Sequence, residues 1–119
     1  MLLTASAALL AVGGVMHTRA FGRAAAAVAS SSLPDFYGRA FKALWLIDSA
    51  TLLALATTFG LLAARPEQAS RGVVVLLSVI PAATAAMLYT FIGRFLPAHV
   101  LLVAALMAGL AGMLGRRSP

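Results

Sequence analysis

An all-α integral membrane four-helix bundle, running up-down-up-down, is the fold that this 119-residue sequence predicts. Three observations predict it. Apolar runs cover about 2–18, 43–64, 72–92 and 98–114, each close to the ~17–25 residues that a helix needs to cross a bilayer. Hydrophobic residues make up 62% of the chain, charged residues 10%, and mean hydropathy is +1.00, whereas a soluble domain carries roughly 25% charged residues. The charges fall between the runs, Asp48 excepted, and the short connections leave room for one transmembrane domain only.

The first span is rich in alanine and leucine. Its small residues Gly14, Thr18 and Gly22 recur four apart, a spacing that lets a neighbouring helix come close. Arg19 and Arg23 mark its exit from the hydrocarbon, and 24–29, with its alanines, is expected to continue the helix or lie at the interface. No basic residue precedes the run and Thr18-Arg19-Ala20 is a poor cleavage site, so an uncleaved first helix is expected rather than a signal peptide. Ser30-Ser31-Ser32-Leu33-Pro34-Asp35 then breaks the chain. Ser32 and Asp35 have capping-box spacing, and Pro34 suits a first helical turn. Helix two is thus expected to start near Leu33, at the interface, and to enter the bilayer through Phe36, Tyr37, Phe41 and Trp45.

Arg65-Pro66-Glu67-Gln68 ends the second span, and the short connection to Arg71 predicts that spans two and three are antiparallel neighbours. Pro81 lies near the middle of span three, where it frees the carbonyl near Leu77 and predicts a kink. Gly93-Arg94-Phe95-Leu96-Pro97 predicts a tight hairpin into span four, with Pro97 in the first turn. Span four carries small-residue rows at Ala104, Ala108 and Gly112 and at Ala105 and Gly109. Such rows serve either packing within the bundle or a homodimer seam.

Antiparallel spans put the chain ends and the 65–71 connection on one face, side A, and the other two connections on side B. The aromatics Phe21, Phe36, Tyr37, Phe41, Trp45, Tyr89, Phe91 and Phe95 sort to side B, leaving Phe59 elsewhere. Aromatic rings favour the headgroup layer, so a one-sided belt is expected. Side B carries Arg19, Arg23, Arg39, Lys42 and Arg94; side A carries Arg65, Arg71, Arg116 and Arg117. The counts nearly balance, and the charges nearest the first span predict that side B is cytoplasmic. Net charge is +6, but basic residues scattered over the span ends fit lipid phosphates rather than nucleic acid.

Titratable groups also gather at side B. Asp48 is the one acid inside a span, ~7–8 Å beyond Ala43 at a helical rise of ~1.5 Å per residue. A carboxylate at mid-membrane costs ~2.5–3.5 kcal/mol on insertion scales, so it should face protein or water with a partner. Its helical neighbours Phe41, Leu44, Trp45, Thr51, Leu52 and Leu55 form an apolar face, which predicts that Asp48 turns inward. The candidate cluster is therefore Asp48 with His17, His99 and Arg94 as partners, Thr51 as a second polar point, and Trp45 and Tyr89 as walls. A structural ion pair, a proton- or ligand-binding site and haem ligation by His17 and His99 are the readings open to it.

Other chemistry finds no template. The chain has no cysteine, which excludes disulfides, iron–sulfur clusters and thiol nucleophiles. No Glu-x-x-His pair suggests a metal site, Gly13-Gly14 lacks the frame of a phosphate loop, and Ser30 to Ser32 lack a nucleophile elbow. No enzyme activity, cofactor or metal is expected.

The stretch Leu44-Trp45-Leu46-Ile47-Asp48-Ser49, following Gly13-Gly14-Val15-Met16-His17, resembles a group of small uncharacterised four-span inner-membrane proteins of proteobacteria. In these a tryptophan near the start of helix two precedes a polar residue and serine. The resemblance implies a multi-pass protein of a bacterial inner membrane and no particular activity. Small multidrug exporters have a similar length and four spans, but use a carboxylate deep in helix one that this sequence lacks. The expected role is a non-enzymatic helical subunit, packing with itself or with a larger membrane complex. A small transporter or ligand-binding protein built around Asp48 is the alternative.

Overall fold

The computed structural model describes residues 1–114, so Arg116 and Arg117, counted above on side A, lie outside the described residues. Four helices account for almost all of it: α1 (Leu2–Ala29), α2 (Asp35–Ala64), α3 (Arg71–Phe91) and α4 (Leu96–Leu114), with a single 3-10 turn at Pro66–Gln68. All four are long and apolar enough to cross a membrane. The helix α3 continues through Pro81, which is buried, and Pro97 stands in the first turn of α4.

Each helix turns a narrow stripe inward, spaced alternately three and four residues apart. The stripes run Leu3, Ala7, Leu10 and Gly14 on α1; Ser49, Leu52, Ala56 and Phe59 on α2; Val74, Ser78, Pro81 and Ala85 on α3; and Ala98, Leu101, Ala105, Ala108 and Gly112 on α4. That spacing is the signature of left-handed bundle packing. Lipid tails are as apolar as leucine, so burial of apolar surface adds little, and close backbone approach at small residues holds membrane helices together.

Three seams are tight for that reason. Gly14 lets α1 onto α2, since a β-carbon there would lie 2.9 Å from Leu53 Cδ2. Gly109 and Gly112 do the same for α4 on α3, where the added carbon would meet Ser78 Oγ at 3.3 Å and Val75 Cγ2 at 2.8 Å. Between α1 and α4, the fully buried Ser6 hydroxyl donates to the Ala104 carbonyl at 2.7 Å. The fourth seam differs: α2 and α3 make almost no close backbone approach, a correction to the neighbourhood expected from their short connection. They present Leu55, Phe59 and Val74 to the core, side chains too large to let two backbones meet.

The small-residue rows thus belong to the bundle itself on α4 and at Gly14. Gly22 is exposed, with nothing near its missing β-carbon, and Thr18 is exposed and bonds back to the Gly14 carbonyl.

Of the two alternatives for the alanine-rich 24–29 segment the structure has the first: it continues the helix, so α1 extends well past Arg19. The start of α2 departs from expectation. The capping box does not form: Pro34 occupies the cap position with no side-chain bond, and the helix begins at Asp35. Ser31 instead bonds the Val28 carbonyl and receives the Leu33 amide, so the serine run closes α1 rather than opening α2.

The two hairpins are also staggered. His17 meets Ser49, and Val28 lies over Gly38, so α1 and α2 pair to the tip of their hairpin. Because Ser6 meets Ala104, the antiparallel register sets Leu96, the first residue of α4, at about the level of Gly14. From that level α1 climbs ~22 Å further to Ala29 at ~1.5 Å per residue. The α1–α2 hairpin therefore stands above the α3–α4 turn on side B, carrying Phe36 and Tyr37 at its end. The side-B aromatics are spread over this height rather than gathered in one belt.

Candidate functional site

At the foot of the overhang, α1 and α2 bring four of their side chains together. His17 and Trp45 stack face to face, with ring centroids 4.2 Å apart and planes 11° from parallel. The Trp45 Nε1–H donates to the His17 backbone carbonyl at 2.9 Å. That bond makes up for a polar edge that would otherwise be placed in an apolar setting. The ring of His17 is held at both nitrogens. Nδ1 lies 2.9 Å from Ser49 Oγ, and Nε2 lies 3.6 Å from Asp48 Oδ2.

Ser49 Oγ also lies 3.0 Å from the Trp45 carbonyl, so its one hydroxyl proton can serve either that carbonyl or the His17 ring. The contact with Asp48 is too long for a hydrogen bond. It is also half open, the two side chains being 28% and 38% exposed, so water or a headgroup can reach it.

A second group lies on the other hairpin. The Tyr89 hydroxyl and His99 Nδ1 are 2.9 Å apart, and with Arg94 these residues line an open hollow beside the α3–α4 turn. The candidate cluster is therefore two groups rather than one. The stagger is the reason: by the Ser6–Ala104 register, His99 stands at about the level of Ala11, ~9 Å below His17 along the axis. Arg94 and His99 do not pair with Asp48, whose ion-pair partner among the described residues is His17. Thr51 joins neither group, because its hydroxyl bonds the Ile47 carbonyl one turn back.

The inward face of α2 also needs correcting. Ser49 is buried on the stripe that meets α1, whereas Asp48 flanks it and Leu44 is largely exposed. Ser49 is the side chain of the His17 group that sequence reasoning left out of the cluster. The three-four spacing Ser49, Leu52, Ala56 and Phe59 was the signal that could have found it, since it continues back to Trp45.

Among the described residues no three histidine, aspartate or glutamate side chains lie close enough together to hold a metal ion. His17 and His99 sit on different hairpins, each engaged by its own neighbour. Replacing Asp48 with leucine is expected to lower stability by ~1 kcal/mol or less, the range of a half-exposed ion pair, with asparagine costing less than leucine. Thermal unfolding in mild detergent would measure this. A leucine variant as stable as wild type would mean that the His17 contact contributes nothing.

Comparison with family models, curated proteins and solved structures finds no match.

Proposed function

We propose that the protein is a non-enzymatic helical subunit of a bacterial inner-membrane assembly, joined to a second copy or to a larger membrane complex through the end of its α1–α2 hairpin. The observation that carries this reading is the exposed apolar tip. Leu33, Phe36 and Tyr37 are all at least half exposed on a hairpin that climbs above the rest of side B. Apolar groups grouped at the end of a rigid projection are a common mark of a protein contact. Phe36 and Tyr37 already meet edge to face at 5.5 Å, so the patch is ordered before any partner arrives. The small residues of α4 and Gly14 are used within the bundle and do not carry this reading, whereas Thr18 and Gly22 stay exposed on α1.

Purification from native membranes in mild detergent, with the particle mass measured by light scattering, tests the reading. The expected result is a mass above that of one chain, reduced to one chain when Phe36 and Tyr37 are both replaced by serine. A strictly monomeric particle with no co-purifying protein, in detergent and in nanodiscs alike, would contradict it.

The half-open contact of His17 with Asp48, an acid within a span, favours a second reading, a small transporter or ligand-binding protein. Proton-coupled flux in proteoliposomes that is lost in Asp48→Asn would support it over the first.

A further inference from the structure

The hollow at the α3–α4 turn has a charge problem that the chain does not solve. Arg94 is exposed and has no ion-pair partner among the described residues. The chain has three acids. Asp48 is taken by His17, Glu67 lies in the turn on the opposite face, and Asp35 begins α2 near the top of the overhanging hairpin.

The surroundings of Arg94 are lipid-facing. Phe91, Ile92 and Leu96 on either side of it are each more than half exposed. On the neighbouring hairpin Leu44, Leu46 and Ile47 are exposed as well, and by the helix register they stand ~5–10 Å higher than the α3–α4 turn. Arg94 thus lies at or just below the lipid surface that those residues define. An unpaired guanidinium there is costly unless water or a phosphate is drawn down to it.

The other two side chains make the hollow a receptor for an oxyanion. The Tyr89 hydroxyl donates to His99 Nδ1, or accepts from it, at 2.9 Å. With the phenol donating, a neutral His99 carries its proton on Nε2, free to donate elsewhere. Arg94 adds a planar fork suited to two oxygens of one phosphate. The turn that holds Arg94 is fixed, because Gly93 adopts a left-handed conformation at φ 98° and its amide bonds the Leu88 carbonyl at 3.0 Å. That conformation favours glycine and closes the end of α3.

We infer that the hollow at the α3–α4 turn on side B binds the phosphate headgroup of an anionic membrane lipid, with Arg94 and His99 as its ligands and Tyr89 as the residue that positions His99 and sets its tautomer. The inference rests on the chain crossing a membrane and not on the subunit reading. A lipid is favoured over free phosphate or an acidic protein segment because the exposed apolar residues Phe91, Ile92 and Leu96 border Arg94 on its own hairpin.

Native mass spectrometry of the full chain in a neutral detergent tests this by titration with phosphatidylglycerol and with phosphatidylcholine. Phosphatidylglycerol is expected to bind about tenfold or more tightly than phosphatidylcholine, and R94Q to lose about tenfold of that affinity, as for a charge-assisted bidentate contact. Y89F, which keeps the ring, is expected to weaken binding severalfold with helicity unchanged. R39Q removes an equal charge from the overhanging hairpin and should leave affinity within about twofold. Equal binding of the two lipids, or an R39Q loss as large as that of R94Q, would overturn the inference. So would displacement of the lipid by millimolar inorganic phosphate, or equal competition by a polyglutamate peptide.

Discussion

Phe59→Ala is expected to destabilise the bundle by about 3 kcal/mol, near the lower end for removing a buried phenyl ring. Phe59 is fully buried and is the largest such side chain. It belongs to the core cluster that draws residues from all four helices. It lies where α2 and α3 do not meet by backbone, so the ring fills space that neither helix can close by moving inward. In lipid the loss is chiefly of van der Waals contacts, since a cavity too small for an acyl chain leaves its lining without partners. Phe91→Ala removes the same ring from an exposed position and should fall within about 0.5 kcal/mol of wild type. Unfolding of both variants in mild detergent checks the difference, and equal effects would mean that Phe59 is not in the core.

Gly112→Leu is expected to cost about 3 kcal/mol, the upper part of the range for overpacking. A β-carbon there would come within 2.8 Å of Val75 Cγ2 and 3.2 Å of both Val74 Cγ1 and the Arg71 carbonyl oxygen. Side chains can turn away, but the Arg71 carbonyl is backbone, so α3 and α4 must separate. Gly60 has nothing within 4 Å of its missing β-carbon, and Gly60→Ala should be neutral or stabilising by up to ~1 kcal/mol through helix propensity. Thermal unfolding of the pair separates the close approach from a general effect of glycine replacement.

The spans were legible because hydropathy over ~20 residues reports lipid contact directly. That Asp48 needs a partner was legible, because it is an acid in an apolar run, and His17 was one of three candidates for it; the stacking of His17 on Trp45 was not. Hydropathy ends the run of α1 at Arg19 and Arg23, while helix propensity left 24–29 open between helix and interface; the helix runs on to Ala29. Neither signal reports the register between the two hairpins, set where Ser6 meets Ala104, so the stagger that keeps His99 and Arg94 from Asp48 was hidden. The inward face of α2 was read correctly at Leu52 and Leu55, both buried, but was centred on Asp48, about half a residue's rotation (~50°) from the buried stripe of Ser49, Ala56 and Phe59. Asp48 attracts notice as a charge, while the burial of Ser49 follows from Gly14, which admits α1 at that face. The weak α2–α3 seam was hidden by its short loop, because a loop constrains helix ends while residue size sets how closely the backbones approach.

Single-cysteine labelling tests the four-span arrangement most directly, and the chain suits it because it has no native cysteine. A membrane-impermeant maleimide is applied to sealed vesicles of known orientation carrying Ser32→Cys, Arg94→Cys or Gln68→Cys. The account predicts that Ser32→Cys and Arg94→Cys are labelled from one side and Gln68→Cys from the other. Labelling of Ser32→Cys and Gln68→Cys from the same side would contradict it.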